Sequence, residues 1–113
     1  MRNLKLVINN ENKNKNSFFN KEEFQLILNL YAKMVSGGEW KDYGLSFSKK
    51  EVSFNIYRRS SESPVYKITK NLKPKNENEK YIIEDFSSKK INRSKDLGSL
   101  IKKIIWKKFK LVN

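Results

Sequence analysis

The chain has 113 residues and a formal charge of +13, enough for one small domain with a single core. It contains no Cys and no His. That excludes disulfide scaffolds, thiolate nucleophiles and zinc–thiolate sites, and it removes the usual general base and the commonest metal ligand.

Residues 3–8 alternate partly (Leu4, Leu6 and Ile8 against Lys5 and Val7) and predict a short strand. Residues 9–16 hold no apolar side chain and are expected to be a flexible polar linker, because nothing there offsets ordering entropy by burial. The single domain is therefore expected over 17–113. Its first helix is predicted at 21–36. Asn20 is a good N-cap, Glu23 stands where a capping-box carboxylate belongs, and Phe19 and Phe24 have hydrophobic-staple spacing. Phe24, Ile27, Leu28, Tyr31, Met34 and Val35 form one apolar stripe, while Leu26 and Leu30 lie off it. Gly37 and Gly38 end the helix.

After a loop at 39–42, Tyr43, Leu45 and Phe47 alternate with small residues, and Val52, Phe54 and Ile56 alternate with polar ones. These periods of two, joined at Lys49 and Lys50, predict a hairpin. Residues 58–64 read as a polar connection. A third strand follows at 65–70, a polar loop at 71–79, a fourth strand at 81–86 and a brief extended piece around Lys90 and Ile91. Ser94 is the expected cap of a last helix. Its stripe is Leu97, Ile101, Ile104 and Ile105, widened by Leu100, Trp106 and Phe109, with Lys102, Lys103, Lys107 and Lys110 on the remaining arc. The order is an N-terminal helix, an antiparallel meander of about four strands, then a C-terminal helix. It predicts an α+β fold with both helices on one face of the sheet.

The charge suggests a polyanionic partner, but 21 of the 25 basic residues are Lys and 14 residues are Asn, a composition that nucleotide bias also produces. Location is more informative. Residues 87–113 carry nine basic side chains against one acid, Asp96. Two of the four arginines, Arg58 and Arg59, stand together before Ser60 and Ser61, and guanidinium forks and hydroxyls suit phosphate oxygens. Ser53, Asn55, Tyr57 and Arg59, with Lys67 and Thr69, would share an open sheet face, though with one aromatic to stack a base. No phosphate-cradling glycine loop, zinc-binding helix motif or nucleophile elbow is present. No catalytic residue, cofactor or metal is therefore expected.

The leading expectation is a non-enzymatic nucleic-acid-binding domain, within reach of ribonucleoprotein assemblies, that contacts phosphate through Arg58, Arg59, Lys102, Lys103, Lys107 and Lys110. The alternative is a protein-interaction or structural module that uses Leu26, Leu30 and Trp40 at its surface; Trp40 would otherwise close the end of the core. A third reading lays the last helix on an anionic membrane. No signal peptide or membrane span is evident, so the expected compartment is the cytoplasm.

The stretch 29–43, with Leu30 and Tyr31 and then Gly38, Glu39 and Trp40, is followed by Phe47 and by 54–68, with Arg58, Arg59, Ser60, Ser61 and Glu62. Over roughly 17–105 this pattern resembles a small domain of unknown function from alphaproteobacteria. The resemblance implies a short, single-domain cytoplasmic protein and brings no activity. Members of that family are less rich in Lys and Asn, which implies that compositional bias accounts for much of the charge.

Overall fold

Helix α1 spans Lys21–Ser36, and both halves of the capping box are formed. The Glu23 amide donates to Asn20 Oδ1 at 2.8 Å, and the Asn20 amide donates to Glu23 Oε1 at 2.7 Å. The rings of Phe19 and Phe24 lie stacked 6.5 Å apart, completing the staple. At the other end Gly38 takes φ 81°, a left-handed conformation that glycine adopts at little cost. The Gly38 amide bonds to Val35 O, and that of Glu39 to Met34 O.

The computed structural model describes residues 18–59, 63–104 and 106. After α1 come strands β1 (Asp42–Phe47), β2 (Glu51–Tyr57), β3 (Tyr66–Asn71), β4 (Tyr81–Asp85) and β5 (Lys90–Ser94), then helix α2 (Leu97–Lys103). The strands form one antiparallel sheet in the order β1-β2-β3-β4-β5. The fold is α+β as expected, with a fifth strand where only a brief extended piece was anticipated.

The register explains the layers. Leu45, Phe54, Ile68 and Ile83 stand opposite one another across four strands and therefore share a face. Phe54 and Ile68 are wholly buried, as are Ile27 of α1 and Leu100 of α2, so both helices cover this face. Complete burial of a side chain of this size contributes about 1.5–3 kcal/mol. On the opposite face stand Ser46, Ser53, Thr69, Ile82 and Arg93.

Helix α2 departs from expectation at both ends. Its N-cap is Asp96, whose carboxylate accepts from the Ser99 amide at 2.8 Å and the Ser99 hydroxyl at 2.7 Å. Ser94 is still part of β5, opposite Tyr81, and its hydroxyl accepts from the Asp96 amide at 3.0 Å. The helix stops at Lys103 because Ile104 is extended and the chain folds back. The Trp106 indole donates to Ile101 O at 3.1 Å, and its ring packs on Tyr66 at 4.8 Å and Trp40 at 5.7 Å. The stripe Ile101-Ile104-Ile105 would permit a longer helix; an aromatic anchor holding an Ile101 carbonyl overrides it. The strand and linker expected over 1–16, and Lys107, Phe109 and Lys110, lie outside the described residues.

Candidate functional site

Alternating strand directions bring the starts of β1, β3 and β5 and the ends of β2 and β4 to one end of the sheet. The pairings Asp42 with Tyr57, Ile56 with Tyr66, Tyr66 with Asp85, and Asp85 with Lys90 mark that end. Helix α2 starts near the far end and runs back, so its C-terminus arrives here. The result is a groove of about 450 Å³ between β3, β4, β5 and α2, lined by Tyr66, Ile83, Asp85, Ser88, Lys90, Asn92, Lys103 and Ile104.

The β4–β5 turn shapes one wall. Asp85 Oδ1 accepts from the Ser87 amide at 3.1 Å, the Ser87 hydroxyl at 3.0 Å and the Ser88 amide at 3.2 Å. Burial alone would raise the Asp85 pKa; the bonds from Ser88 and Ser87 outweigh it and hold the carboxyl below its ordinary value. Oδ1 thus braces the turn, and the carboxylate keeps its negative charge at the groove wall. Lys89 follows at φ 60°, a left-handed conformation uncommon for a side chain of this kind, and Lys90 then enters the groove. Two ammonium groups and a carboxamide, set against the one Asp85 carboxylate around an apolar floor, leave the groove net positive and able to hold an anion such as phosphate.

The residues proposed from the sequence distribute unevenly. Arg58 and Arg59 are exposed immediately after β2, at the same end of the sheet as the groove. Three strand spacings of ~4.8 Å put β2 about 14 Å from β5. Lys102 is exposed and Lys103 lines the groove. Lys107 and Lys110 lie outside the described residues, as do Ser60 and Ser61.

The surface expected for protein interaction needs correction. Trp40 is 3% exposed and packs on Tyr31, Tyr66 and Trp106; the turn at Gly37 and Gly38 folds it back over the end of the core. Leu30 is also buried, because α2 covers that flank of α1 and widens the buried arc. Leu26 remains 39% exposed. The open sheet face offers no stacking platform either. Ser53 and Thr69 are buried between neighbouring strands, and the Tyr57 ring lies against Gly44, within 3.8 Å of where a Cβ would stand.

Sequence reasoning missed Ser88, Lys90 and Asn92 as groove residues. Their signal was the pair Lys89 and Lys90 inside the basic C-terminal segment, which gains a position only once β5 is a strand. It also missed a buried ion pair at the far end of the sheet. Lys70 Nζ donates to Glu23 Oε1 at 2.9 Å and to Phe18 O at 3.0 Å, and the Tyr81 hydroxyl donates to Glu23 Oε2. Burial would raise the Glu23 pKa, but the bonds from Lys70, Tyr81 and Asn20 hold it below the ordinary value. The same burial, with the neighbouring carboxylate, pushes the Tyr81 phenol far above 10. This cluster fastens α1 to β3 and β4. A larger opening beside it, about 530 Å³, is lined by Lys70, Lys80 and Lys95 together with Glu77, and the Lys70 ammonium is already bound to Glu23. Among the described residues no cluster of His, Cys, Asp and Glu could hold a metal ion, and no helix is long and apolar enough to cross a membrane.

No curated protein and no solved structure matches the chain significantly. A family model, a protein of unknown function (DUF2794), matches residues 17–101, a span that takes in α1, the whole sheet and most of α2. The chain therefore belongs to the DUF2794 family.

Proposed function

We propose that this domain binds nucleic acid without catalysing a reaction, with phosphates lying across the basic end of the sheet from Arg58 and Arg59 to Lys90 and Lys103. The observation that carries this reading is the groove itself, in which Lys90 of β5 and Lys103 of α2 face a common space although 13 positions separate them in sequence. A nucleic-acid strand carries one charge per ~3.4 Å of duplex axis, so the ~14 Å from β2 to β5 spans about four phosphates. A cytoplasmic setting, as in a ribonucleoprotein particle, accords with the lack of cysteine. The alternative, a protein-interaction module, retains only Leu26 of its three residues as a surface group.

Fluorescence anisotropy with labelled single-stranded and duplex RNA and DNA tests the proposal. Binding is expected at ~50 mM salt, with log affinity falling linearly in log salt by about 0.9 per duplex phosphate or 0.7 per single-strand phosphate contacted. The double variant Lys90→Gln/Lys103→Gln should flatten that slope by about two contacts. Absence of binding to all four probes at ~50 mM salt refutes the function, and an unchanged slope in the double variant refutes the site. A stoichiometric protein partner recovered after nuclease treatment would favour the alternative.

A further inference from the structure

The groove between β3, β4, β5 and α2 carries two features that phosphate contact leaves unused. The first is its floor. Register sets Tyr66, Asp85 and Lys90 in one row across β3, β4 and β5, and Ile68, Ile83 and Asn92 in the next. Such rows lie about 7 Å apart along the strands, and β3 and β5 are two strand spacings apart, about 10 Å. Tyr66 and Ile83 floor this patch, Ile104 of α2 stands beside them, and Lys90 and Lys103 are exposed at its margin. An apolar patch of that size fits a flat ring more fully than a tetrahedral anion. Its volume of about 450 Å³ falls among small-ligand sites, about 300–1,000 Å³. The second feature is the Asp85 carboxylate. All three bonds that brace the β4–β5 turn end on Oδ1, a task that an amide oxygen could also perform. A negative charge inside a site for phosphate alone repels its ligand. Oδ2 takes none of those three bonds, and a carboxylate oxygen accepts N–H groups. Asn92 stands diagonal to Asp85 across β4 and β5, within reach of the same ligand.

On the reading that this groove binds nucleic acid, we propose that it takes an unpaired base of a single strand, whose N–H donor is accepted by Asp85 Oδ2, with the neighbouring phosphates on Lys90 and Lys103. Every base presents at least one N–H donor on its Watson–Crick edge, and in a duplex that edge is turned to the partner strand. Base pairing and the groove therefore compete for the same atoms, and the site selects bases that are splayed out of a stack. The charges then divide the work. The two lysines draw in the backbone, and Asp85 separates a base, which has N–H groups to donate, from a bare phosphate, which offers only acceptor oxygens.

Fluorescence anisotropy with the full chain at ~50 mM salt provides the test. The probes are RNA homopolymers of adenosine, cytidine and uridine, an abasic backbone of equal length and charge, and the duplex of the adenosine and uridine strands. The best homopolymer should bind wild type at least about tenfold tighter than the abasic backbone, the effect of one hydrogen bond to a charged acceptor, and tighter than the duplex. Asp85→Asn keeps an oxygen acceptor for the turn and removes the acceptor at Oδ2. It should shrink the advantage of the base to about threefold or less, while binding of the abasic backbone is undiminished because both lysines remain. Equal affinity of wild type for the abasic backbone and every homopolymer overturns the inference and leaves phosphate binding standing. So does a duplex that binds as tightly as the best single strand, or a base advantage that survives intact in Asp85→Asn. Failure of every probe to bind overturns the nucleic-acid reading itself.

Discussion

Replacing Lys70 by Met leaves Glu23 as a buried carboxylate without its cation. Both side chains are under 10% exposed in the folded chain, so this pair belongs with buried ion pairs and not with surface pairs worth about 0–1 kcal/mol. Breaking a buried pair from one side costs about 3–5 kcal/mol. At roughly 4 °C per kcal/mol for a domain of this size, Tm should fall by ~12 °C or more. The pH dependence identifies the cause. In wild type the Glu23 carboxyl lies below its ordinary value of 4.5, so the unfolded chain takes up the proton first. The pair's contribution is complete above about pH 4.5 and is lost as pH falls through the folded value. In Lys70→Met the bonds from Tyr81 and Asn20 still oppose burial but the cation does not, so the folded carboxyl titrates higher than in wild type and less stability is gained as pH rises. The deficit relative to wild type is therefore largest near neutrality and narrows in acid. Urea unfolding followed by the fluorescence of Trp40 and Trp106, at pH 4 and pH 7, measures it. A second variant, Glu23→Gln/Lys70→Met, should be less damaged than Lys70→Met alone, since no charge is left behind. A loss below about 1 kcal/mol at pH 7, with no change of slope in pH, would refute the reasoning.

Three further substitutions probe the turn beside the groove and the cap at the far end of α2. Lys89→Gly relieves a left-handed conformation that costs an L-residue about 1–2 kcal/mol; offset by the extra freedom glycine gives the unfolded chain, it should stabilise by up to about 1 kcal/mol in urea unfolding. Asp96→Ala removes the N-cap of α2 and should destabilise by about 1 kcal/mol, while Ser94→Ala, outside the cap position, should cost less in the same assay.

Local signals carried most of the fold. Asn20, Glu23, Phe19 and Gly38 state the limits of α1 within a few residues of chain, so helix 21–36 was readable without tertiary information. The alternation at 43–47 and 52–57 likewise made a hairpin the natural reading. Failures fell where the deciding contact is remote. Trp106 truncates α2 by packing on Trp40 and Tyr66, residues far off in sequence. Lys70 lies on the inward face of β3 with Tyr66 and Ile68, a position where a lysine announces a buried partner, but Glu23 is 47 residues away and its role in the capping box already explained it. The groove was half legible. The lysine-rich end of the chain was visible as charge, and Arg58 and Arg59 as a pair, yet only the strand directions bring them to one end of the sheet.

Every strand of this sheet pairs with its neighbour in sequence, so assembly proceeds by adding hairpins one after another and each step closes only a short loop. That keeps the entropy of loop closure small and places the sheet among topologies of low contact order, which fold quickly for β-rich chains. The Glu23 links to Lys70 and Tyr81 span 47 and 58 residues and stand apart from this local order. They close the first element onto a sheet whose strands can already be in place, so the ion pair works chiefly as a latch on the finished domain, slowing its opening more than it speeds its formation.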